Sequence, residues 1–574
     1  MSVSEAASES GSESMPESAF EDIAHTPVLI VGGGLVGLSA ALFLRYHGVD
    51  CVLVERRNGA SVLPRSRGVH MRTVELFRQI GIEQQVQRAA KSALKAGAFG
   101  GARTGPSLVE STGLEIRGGH GGLGFDPSPS SFCFCPQVLL EPVLADLARE
   151  RGARVRFGAE LTDLHQDADR VTATVNGRTV TADYLIAADG AASPIRELLG
   201  IGSWTLPPTH HYVNVFVRTD LTDLVEGRSF SQCEVANETV RGVILSKNNT
   251  DEWSFHFEYD PGRETLADFP PRRCVDLVRA AVGSPEIAVE VLASSVWDTA
   301  VQVADEYRRG RVLLAGDAAH RHAPWGGFGA NTGIADVHNL AWKLAQVLAG
   351  RADATLLDTY QIERRPRAVI AAEQARLRTD FLARYGVVTE QNKDDVAQHL
   401  DSGAIMTRYR YASAAVIPDR SQAPARPNGT DSTVGVDGAD DIADDGWVAQ
   451  LTGQAGTRVP HLWLKSETSE VSTLDLCGPG FTVLAGPEAI GWAQAAEASS
   501  RDTGLSVAAY QIGPGAQLVP VEGDWVEANG LPADGALLVR PDGHVAARSD
   551  NGLRPDALTD VLRSLTGRGT TIGA

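Results

Sequence analysis

Three short stretches of this chain carry residues whose types and spacing could do chemistry. In the first, Gly32, Gly34 and Gly37 form a Gly-x-Gly-x-x-Gly pattern directly after the apolar run 28–31. A helical pattern through Leu38, Ala41, Leu42 and Leu44 follows, and then a second apolar run, 51–54, that ends in Glu55. Strand, glycine turn, helix, strand and acid in this order make a dinucleotide-binding fingerprint. Gly32 makes the tight turn, Gly34 lets the backbone approach a pyrophosphate, and Gly37 lets helix pack on strand. The helix N-terminus offers unpaired N–H groups and the positive end of its dipole. Glu55 can accept hydrogen bonds from a ribose. In the second stretch, the buried-strand pattern at 184–188 ends in Asp189-Gly190, with Ser193 and Arg196 in a short helix beyond. In the third, the run 311–315 ends in Gly316-Asp317, followed by His320 and the glycine-rich run 324–333. Carboxylates at the carboxyl ends of strands sit where open α/β sheets bind ligands. A glycine-rich run opening a helix exposes backbone N–H groups to an anion or to the polar edge of a ring.

Other elements must hold these residues in place. Residues 1–24 are acidic, rich in Ser, Glu and Ala, and contain no Lys or Arg, which predicts a disordered tail. Unbroken apolar runs read as parallel strands buried on both faces. Arg56, Arg57, Arg65 and Arg67 follow the fingerprint, and arginines there can pair with phosphates or carboxylates. Residues 98–131, rich in Gly and Ser, read as one long loop. Gln137 opens a helix running to about Arg151, and short strands over 154–182 resemble a meander. Between about 203 and 308 the texture becomes alternating, at 211–217, 243–245 and 253–259. Period-2 runs predict an antiparallel sheet with one face free to line a cavity. Tyr212, Asn214, Arg218 and His256 lie on that sheet and are the candidates to face the cavity. Helices follow at 334–348 and 356–385, and a linker at 418–445. Residues 446–574 read as a separate α/β unit. It has strands at 481–485 and 505–512, a helix at 488–498, a hairpin at 536–548 turning at Pro541-Asp542-Gly543, and a last helix at 555–565.

Bulk properties exclude several classes. The 574 residues suffice for two or three domains, and 43% hydrophobic content suffices for large cores. A net charge of −20 argues against nucleic acid and anionic membrane as partners. The six cysteines are scattered without a CxxC, which predicts a cytoplasmic, reducing compartment, no disulfides and no zinc. No secretory signal or membrane span is visible. His320, His322 and His338 form no coherent ligand set, so no metal is expected.

Together the three stretches resemble the FAD-dependent aromatic hydroxylases, the group-A flavoprotein monooxygenases typified by para-hydroxybenzoate hydroxylase and phenol hydroxylase. The motifs of that resemblance span residues 27 to about 385. Phe328-Gly329-Ala330-Asn331-Thr332-Gly333 and Val459-Pro460-His461-Leu462-Trp463 are similar to bacterial aromatic polyketide hydroxylases of the anthracycline, angucycline and tetracenomycin type. The resemblance implies an α/β (α+β) fold: a Rossmann-like FAD-binding domain (25–202 and 309–417), an inserted antiparallel-sheet substrate domain (203–308) and a C-terminal thioredoxin-like domain (446–574). It implies that Gly32, Gly34, Leu35, Val36 and Gly37 take the FAD pyrophosphate, and that Glu55, with Arg56 beside it, takes the adenosine ribose. Arg65 and Gln137 resemble the family's Arg and Gln near the flavin's linker. Asp317 resembles the acid that binds the ribityl chain. Pro324, Gly327, Gly329, Ala330 and Asn331 resemble the loop against the isoalloxazine ring. Asp189 and Arg196 resemble a fingerprint associated with both FAD and NAD(P)H. The reaction implied is hydroxylation of a phenolic, polycyclic substrate with O₂, through a flavin hydroperoxide, at the expense of NADPH or NADH. No catalytic base declares itself; Tyr212, Asn214 and His256 are the candidates. The C-terminal unit holds only Cys477, which excludes dithiol chemistry there. That leaves it a packing or dimer-supporting role, from which flavin chemistry should be separable, in a monomer or homodimer. Three other readings share the FAD motifs: a simple-phenol hydroxylase, an oxidoreductase that passes hydride without oxygenation, and a non-catalytic FAD-binding or redox-sensing module.

Overall fold

The computed structural model describes residues 24–61, 66–93, 101–114, 126–419 and 446–569. The acidic tail, Arg65 and most of the 418–445 segment lie outside the described residues.

Five parallel strands form the centre of the eight-stranded main sheet, in the order Val312–Leu314, Arg178–Ala187, His25–Val31, Cys51–Glu55 and Arg154–Phe157. Val31 lies beside Val54 on one side and Ala187 on the other, and Ala187 lies beside Leu314. Gly32, Glu55, Asp189 and Asp317 therefore leave the sheet side by side at one end, and the three sequence stretches converge there. Val28, Leu29, Ile30, Leu53, Leu185 and Leu313 are fully buried, as strands covered on both faces require. The helix Leu35–Tyr46 packs against the helices Gln137–Glu150 and Phe328–Leu348.

A second, seven-stranded sheet runs in the order Glu290–Asp298, His211–Arg218, Glu252–Glu258, Arg241–Ser246, Gln232–Ala236, Ala102–Gly105 and Thr112–Gly113. Val213, Val215 and Val217 sit opposite Phe257, Phe255 and Trp253. These six pack with Cys274 and Val278 of the helix Pro271–Val282 into a separate core. The alternation puts Tyr212, Asn214 and Phe216 on the other face, opposite Glu258, His256 and Ser254. One expectation fails here. The stretch at 98–131 is not all loop: Ala102–Gly105 adds a strand parallel to Gln232–Ala236, with Thr112–Gly113 antiparallel to it. Its strands are too short and too rich in Gly and Thr to show a period. Three short strands, Ser203–Leu206, Val301–Ala304 and His320–Arg321, join the two sheets.

The C-terminal unit holds a four-stranded sheet in the order Val507–Gln511, Phe481–Ala485, Ala536–Val539 and Val545–Arg548. The first pair is parallel and the others antiparallel. The helix Trp492–Thr503 crosses between the first two strands and Leu558–Leu565 follows the last, the order expected of a thioredoxin-like fold. The first helix begins four residues later than its sequence pattern suggests, because Gly491 adopts a left-handed conformation before it. The predicted hairpin forms, but its charged turn is buried: Arg540 and Asp542 are each 1% exposed.

Candidate functional site

The glycine turn shows which glycines the chain itself needs. A Cβ on Gly32 would lie 2.1 Å from the Ala188 carbonyl oxygen, and one on Gly37 would lie 1.9 Å from the Gly32 carbonyl oxygen. Both positions are closed by backbone. At Gly34 a Cβ would meet nothing nearer than Glu141 Oε1 at 3.7 Å. The chain leaves that space open, and a pyrophosphate approaching the backbone fits it. The Leu35–Tyr46 helix starts there with no side-chain cap and no acidic residue in its first turn, so its N–H groups and dipole stand ready for an anion.

Glu55 is buried, and its Oε2 accepts from the Gly33 N–H at 2.6 Å. Arg57, not Arg56, pairs with it: Arg57 Nε donates to Oε1 at 2.9 Å, while Arg56 is exposed. Burial alone would raise the Glu55 pKa, but the bonds from Arg57 and Gly33 bring it below its ordinary value. Glu55 thus orders the glycine turn besides being placed for a ribose. Gln137 donates to Glu141 Oε1 at 2.6 Å, and Glu141 Oε2 accepts from the Ser61 N–H at 2.7 Å. Fully buried Glu141 was not anticipated from the sequence. Its signal there was an acid one helical turn beyond Gln137, next to Leu140 and Leu144 on a buried face.

The two acid motifs are stitched together. Asp189 caps the helix Pro194–Leu198, accepting from Ser193 Oγ at 2.7 Å and from the Ile195 N–H at 3.1 Å. Burial raises its pKa. Arg196, 5% exposed, donates to the Ala318 carbonyl at 2.8 Å. The Asp-Gly motif thereby fixes the turn that carries Asp317. Asp317 itself is exposed at the strand end and makes no hydrogen bond or ion pair with another described residue, so its carboxylate is available to a hydroxylated chain. Behind it, Asp336 accepts from His320 Nε2 at 2.7 Å and Arg364 Nε at 2.8 Å, and Gly316 N–H reaches it at 3.3 Å. His320 is thus a support of the turn.

The glycine-rich run begins with exposed Pro324 and turns through Gly326 and Gly327, both with positive φ, into the helix Phe328–Leu348. The helix therefore starts six residues earlier than its apolar pattern. It has no side-chain cap and no acid in its first turn. Its first N–H groups, around Gly329 and Ala330, lack intrahelical partners and point out of its N-terminus. Asn331 is not one of the exposed groups. Its Oδ1 accepts from the His70 N–H at 2.8 Å and Thr73 Oγ1 at 2.6 Å, and its Nδ2 donates to the Gly327 carbonyl at 2.7 Å. It locks the loop to the helix Met71–Gln79.

The cavity-side face of the second sheet meets this loop through aromatic rings. Tyr212 stacks on Trp297 with centroids 4.6 Å apart, and both lie edge-on to Trp325 of the loop, at 6.3 and 5.7 Å. The Arg384 guanidinium lies 3.4 Å over the Trp325 ring. It donates to the Arg378 and Thr379 carbonyls at 2.8 Å each and has no carboxylate within ion-pair distance among the described residues. Burial lowers its pKa to about 10, which leaves it charged at neutral pH. Sequence reading missed Arg384, because nothing local distinguishes it from other helix-end arginines.

All three candidate catalytic residues are on this face. Burial drives the His256 imidazole down to about 3, with Arg384 and Arg67 adding to the effect. His256 Nδ1 accepts from Trp297 Nε1 at 3.0 Å, which assigns its proton to Nε2. Burial raises the Tyr212 phenol to about 12. Asn214 is 9% exposed, and among the described residues neither its Oδ1 nor Ser254 Oγ, diagonally beside it, has a hydrogen-bond partner. Arg218 is not at the cavity; it pairs with Glu290 at 2.9 Å on the exposed strand end. Arg67 ties the two bodies instead, donating to the Ser231 carbonyl at 3.0 Å and the Ser246 carbonyl at 2.7 Å.

Comparison with known proteins agrees with this geometry. Residues 25–375 match the family model for an FAD binding domain, and residues 452–569 match that for the C-terminal domain of aromatic-ring hydroxylases. A putative polyketide hydroxylase of Streptomyces halstedii is 40% identical over 95% of this chain and 97% of its own. The tetracenomycin A2 monooxygenase-dioxygenase of Streptomyces glaucescens is 39% identical, covering 94% and 95%. A crystal structure of aklavinone-11 hydroxylase in complex with FAD and aklavinone superposes with a TM-score of 0.81 at 34% identity, covering 95% of this chain and 99% of that one. The chain belongs to the FAD-dependent aromatic hydroxylases, and it is an FAD-dependent monooxygenase.

Proposed function

We propose that this enzyme hydroxylates a phenolic, polycyclic polyketide in antibiotic biosynthesis, using NADPH and O₂, in the cytoplasm. The observation that carries the reading is the meeting of the glycine loop with the aromatic, partly polar face of the second sheet at Trp325, Tyr212 and Trp297. Bound FAD supplies the redox chemistry, accepting hydride from the nicotinamide and activating O₂. The residues around it bind, orient and exclude water. The open space at Gly34 and the bare N-terminus of the Leu35–Tyr46 helix would hold the pyrophosphate, Glu55 the adenosine ribose and Asp317 the ribityl chain. The N–H groups at Gly329 and Ala330 would donate to the ring edge that gains negative charge on reduction. Trp297, Trp325 and Tyr212, packed ring on ring, would wall the site and keep water from the reacting carbon.

Activation of the substrate falls to charge rather than to a base. With His256 neutral and Tyr212 protonated, a group able to favour a phenolate is the Arg384 guanidinium, a half-buried cation without an ion-pair partner among the described residues. Asn214 Oδ1 and Ser254 Oγ, which have no hydrogen-bond partner among the described residues, would bond hydroxyls of the substrate. The experiment is turnover with NADPH and isotopically labelled O₂ against a panel of tetracyclic and simple phenols. One labelled oxygen atom per hydroxylation, with the tetracyclic compounds fastest, is the expected result. Fastest turnover of a monocyclic phenol would overturn the substrate class. An unlabelled, dehydrogenated or reduced product would overturn oxygen insertion in favour of hydride transfer alone.

A further inference from the structure

The appended C-terminal unit contributes a fully buried arginine to the support of the flavin loop. Arg458 is 0% exposed. Its Nε donates to Glu75 Oε2 at 3.0 Å, and its Nη2 to Glu75 Oε1 at 2.6 Å and the Pro127 carbonyl at 2.9 Å. Glu75, in the first turns of the helix Met71–Gln79, also accepts from Arg72 Nη1 at 2.9 Å and Ser128 Oγ at 2.6 Å. From the opposite side, the same helix start holds Asn331 through the His70 N–H and Thr73 Oγ1. Its first two turns are therefore clamped between the C-terminal unit and the residue that locks the glycine loop. Arg72 adds a second tie, reaching the Asp542 carbonyl at 3.4 Å.

This is a poor way to gain stability. Two arginines and a carboxylate are taken out of water, and Arg458 Nη1 finds no hydrogen-bond partner among the described residues. A well-packed apolar group of similar volume often does as well or better in such a place. What the ionic triad supplies and an apolar group does not is directional geometry, since a bidentate arginine fixes both distance and angle. The short lever from Glu75 to Thr73 gives that geometry an effect on Asn331.

We propose that Arg458 is a positioning residue for the flavin: through Glu75 and the start of the Met71–Gln79 helix it sets Asn331 and the N-terminus of the Phe328–Leu348 helix against the isoalloxazine ring. The inference rests on the assignment of the glycine loop to that ring. It gives the C-terminal unit a task in the reaction that needs no cysteine.

The test compares full-length Arg458→Met, Arg458→Lys and Glu75→Gln with Asp475→Asn. Asp475 pairs with Arg78 at 2.7 Å, so it is also an interdomain partner of the Met71–Gln79 helix, but at its far, partly exposed end. Four readouts are followed: the FAD dissociation constant, the visible circular dichroism of bound flavin, the hydrogen peroxide formed per NADPH consumed, and turnover. Arg458→Met should weaken FAD binding, change the flavin spectrum and divert NADPH oxidation to peroxide. A displacement of about 1 Å should lower coupled turnover on the order of 100-fold. Arg458→Lys, which keeps one donor, should recover part of each, and Asp475→Asn should match the unaltered enzyme in all four. Arg458→Met indistinguishable from Asp475→Asn in affinity, spectrum and peroxide yield overturns the proposal. If Arg458→Met does not fold, Arg458→Lys and Glu75→Gln decide by the same criteria. Failure of the underlying assignment reads differently: the unaltered protein would then bind no FAD, or would show no change in flavin spectrum when Asn331 is replaced.

Discussion

Gly34 and Gly37 look alike in the sequence motif and differ in what they do. Gly37 is required by the fold, because any side chain would collide with the Gly32 carbonyl. Gly34 is required only by what approaches it. The two substitutions therefore separate folding from binding. Gly34→Val should give a folded protein with an ordinary thermal midpoint and no bound FAD, because the branched side chain fills the pyrophosphate space. Gly37→Val should fail to fold or melt far earlier. Absorbance of bound flavin per chain and a melting curve check both. Full flavin occupancy in Gly34→Val would refute the cradle. At the sheet face, Arg384→Met should cut turnover by about 100-fold or more while leaving FAD bound, the scale for losing one group that stabilises developing charge. A loss no larger than that of an exposed arginine such as Arg218 would remove Arg384 from the chemistry. The glycines, Glu55, Asp189 and Asp317 were legible in the sequence because their spacing is local to one strand end each. Arg384 and Glu141 were not, because their meaning comes from neighbours far along the chain. His256 was a reasonable candidate by type and face; only its burial beside two arginines removes it as a base.

At the next scale, the loop and two helices behave as one part. Asn331 was assigned to the flavin by resemblance, yet its side chain is spent on His70, Thr73 and Gly327. Asn331→Ala removes three buried hydrogen bonds of about 1 kcal/mol each and leaves their partners unpaired. FAD affinity should fall tenfold to 100-fold and peroxide leakage should rise, as measured by flavin titration and a peroxide assay. Unchanged affinity would show that the loop holds its shape without this lock. Elements were readable where apolar period and glycine agreed, as for the helix Leu35–Tyr46 through Leu38, Ala41, Leu42 and Leu44. They were misread where glycine replaced period. The Phe328–Leu348 helix starts inside its glycine run, and Ala102–Gly105 pairs as a strand without an alternating pattern.

Taken whole, the molecule is less divisible than its sequence suggests. The linker and the missing dithiol predict a C-terminal unit whose removal lowers stability or alters oligomerisation but leaves flavin chemistry intact in any soluble fraction. Instead, Arg540 makes a bidentate pair with Glu363 at 2.6 and 2.9 Å, Lys343 joins Glu363 at 2.8 Å, and Asp542 accepts from Asn339 and Trp342 at 3.2 Å each. All four charged groups have fully buried side chains. Breaking a buried pair costs about 3–5 kcal/mol, and whole proteins have about 5–15 kcal/mol to lose. Deletion of 446–574 should therefore yield insoluble or unfolded protein; a soluble, flavin-loaded remainder would contradict this network. Acid should act in the same direction. Burial lowers His47, His70 and His322 to about 4, below their unfolded value of 6.5. The unfolded chain binds more protons between those values, so stability falls as pH drops from about 6.5 to 4. Glu75, brought to about 2 by Arg458 and Arg72 against the effect of burial, extends the loss below pH 4.5. A thermal midpoint that stays level from pH 7 to 4.5 would contradict the histidine contribution.

The buried Pro-Asp-Gly turn also bears on how the enzyme is made. Glu363 and Arg540 are 177 residues apart. At about 5–20 residues per second of synthesis, the carboxylate waits on the order of ten seconds or more for its guanidinium. Over that interval Glu363 has Lys343 and Asn339 beside it but lacks the bidentate guanidinium that completes its network. The buried charge network of the nucleotide-binding half therefore closes only after the hairpin that carries Arg540 has been made.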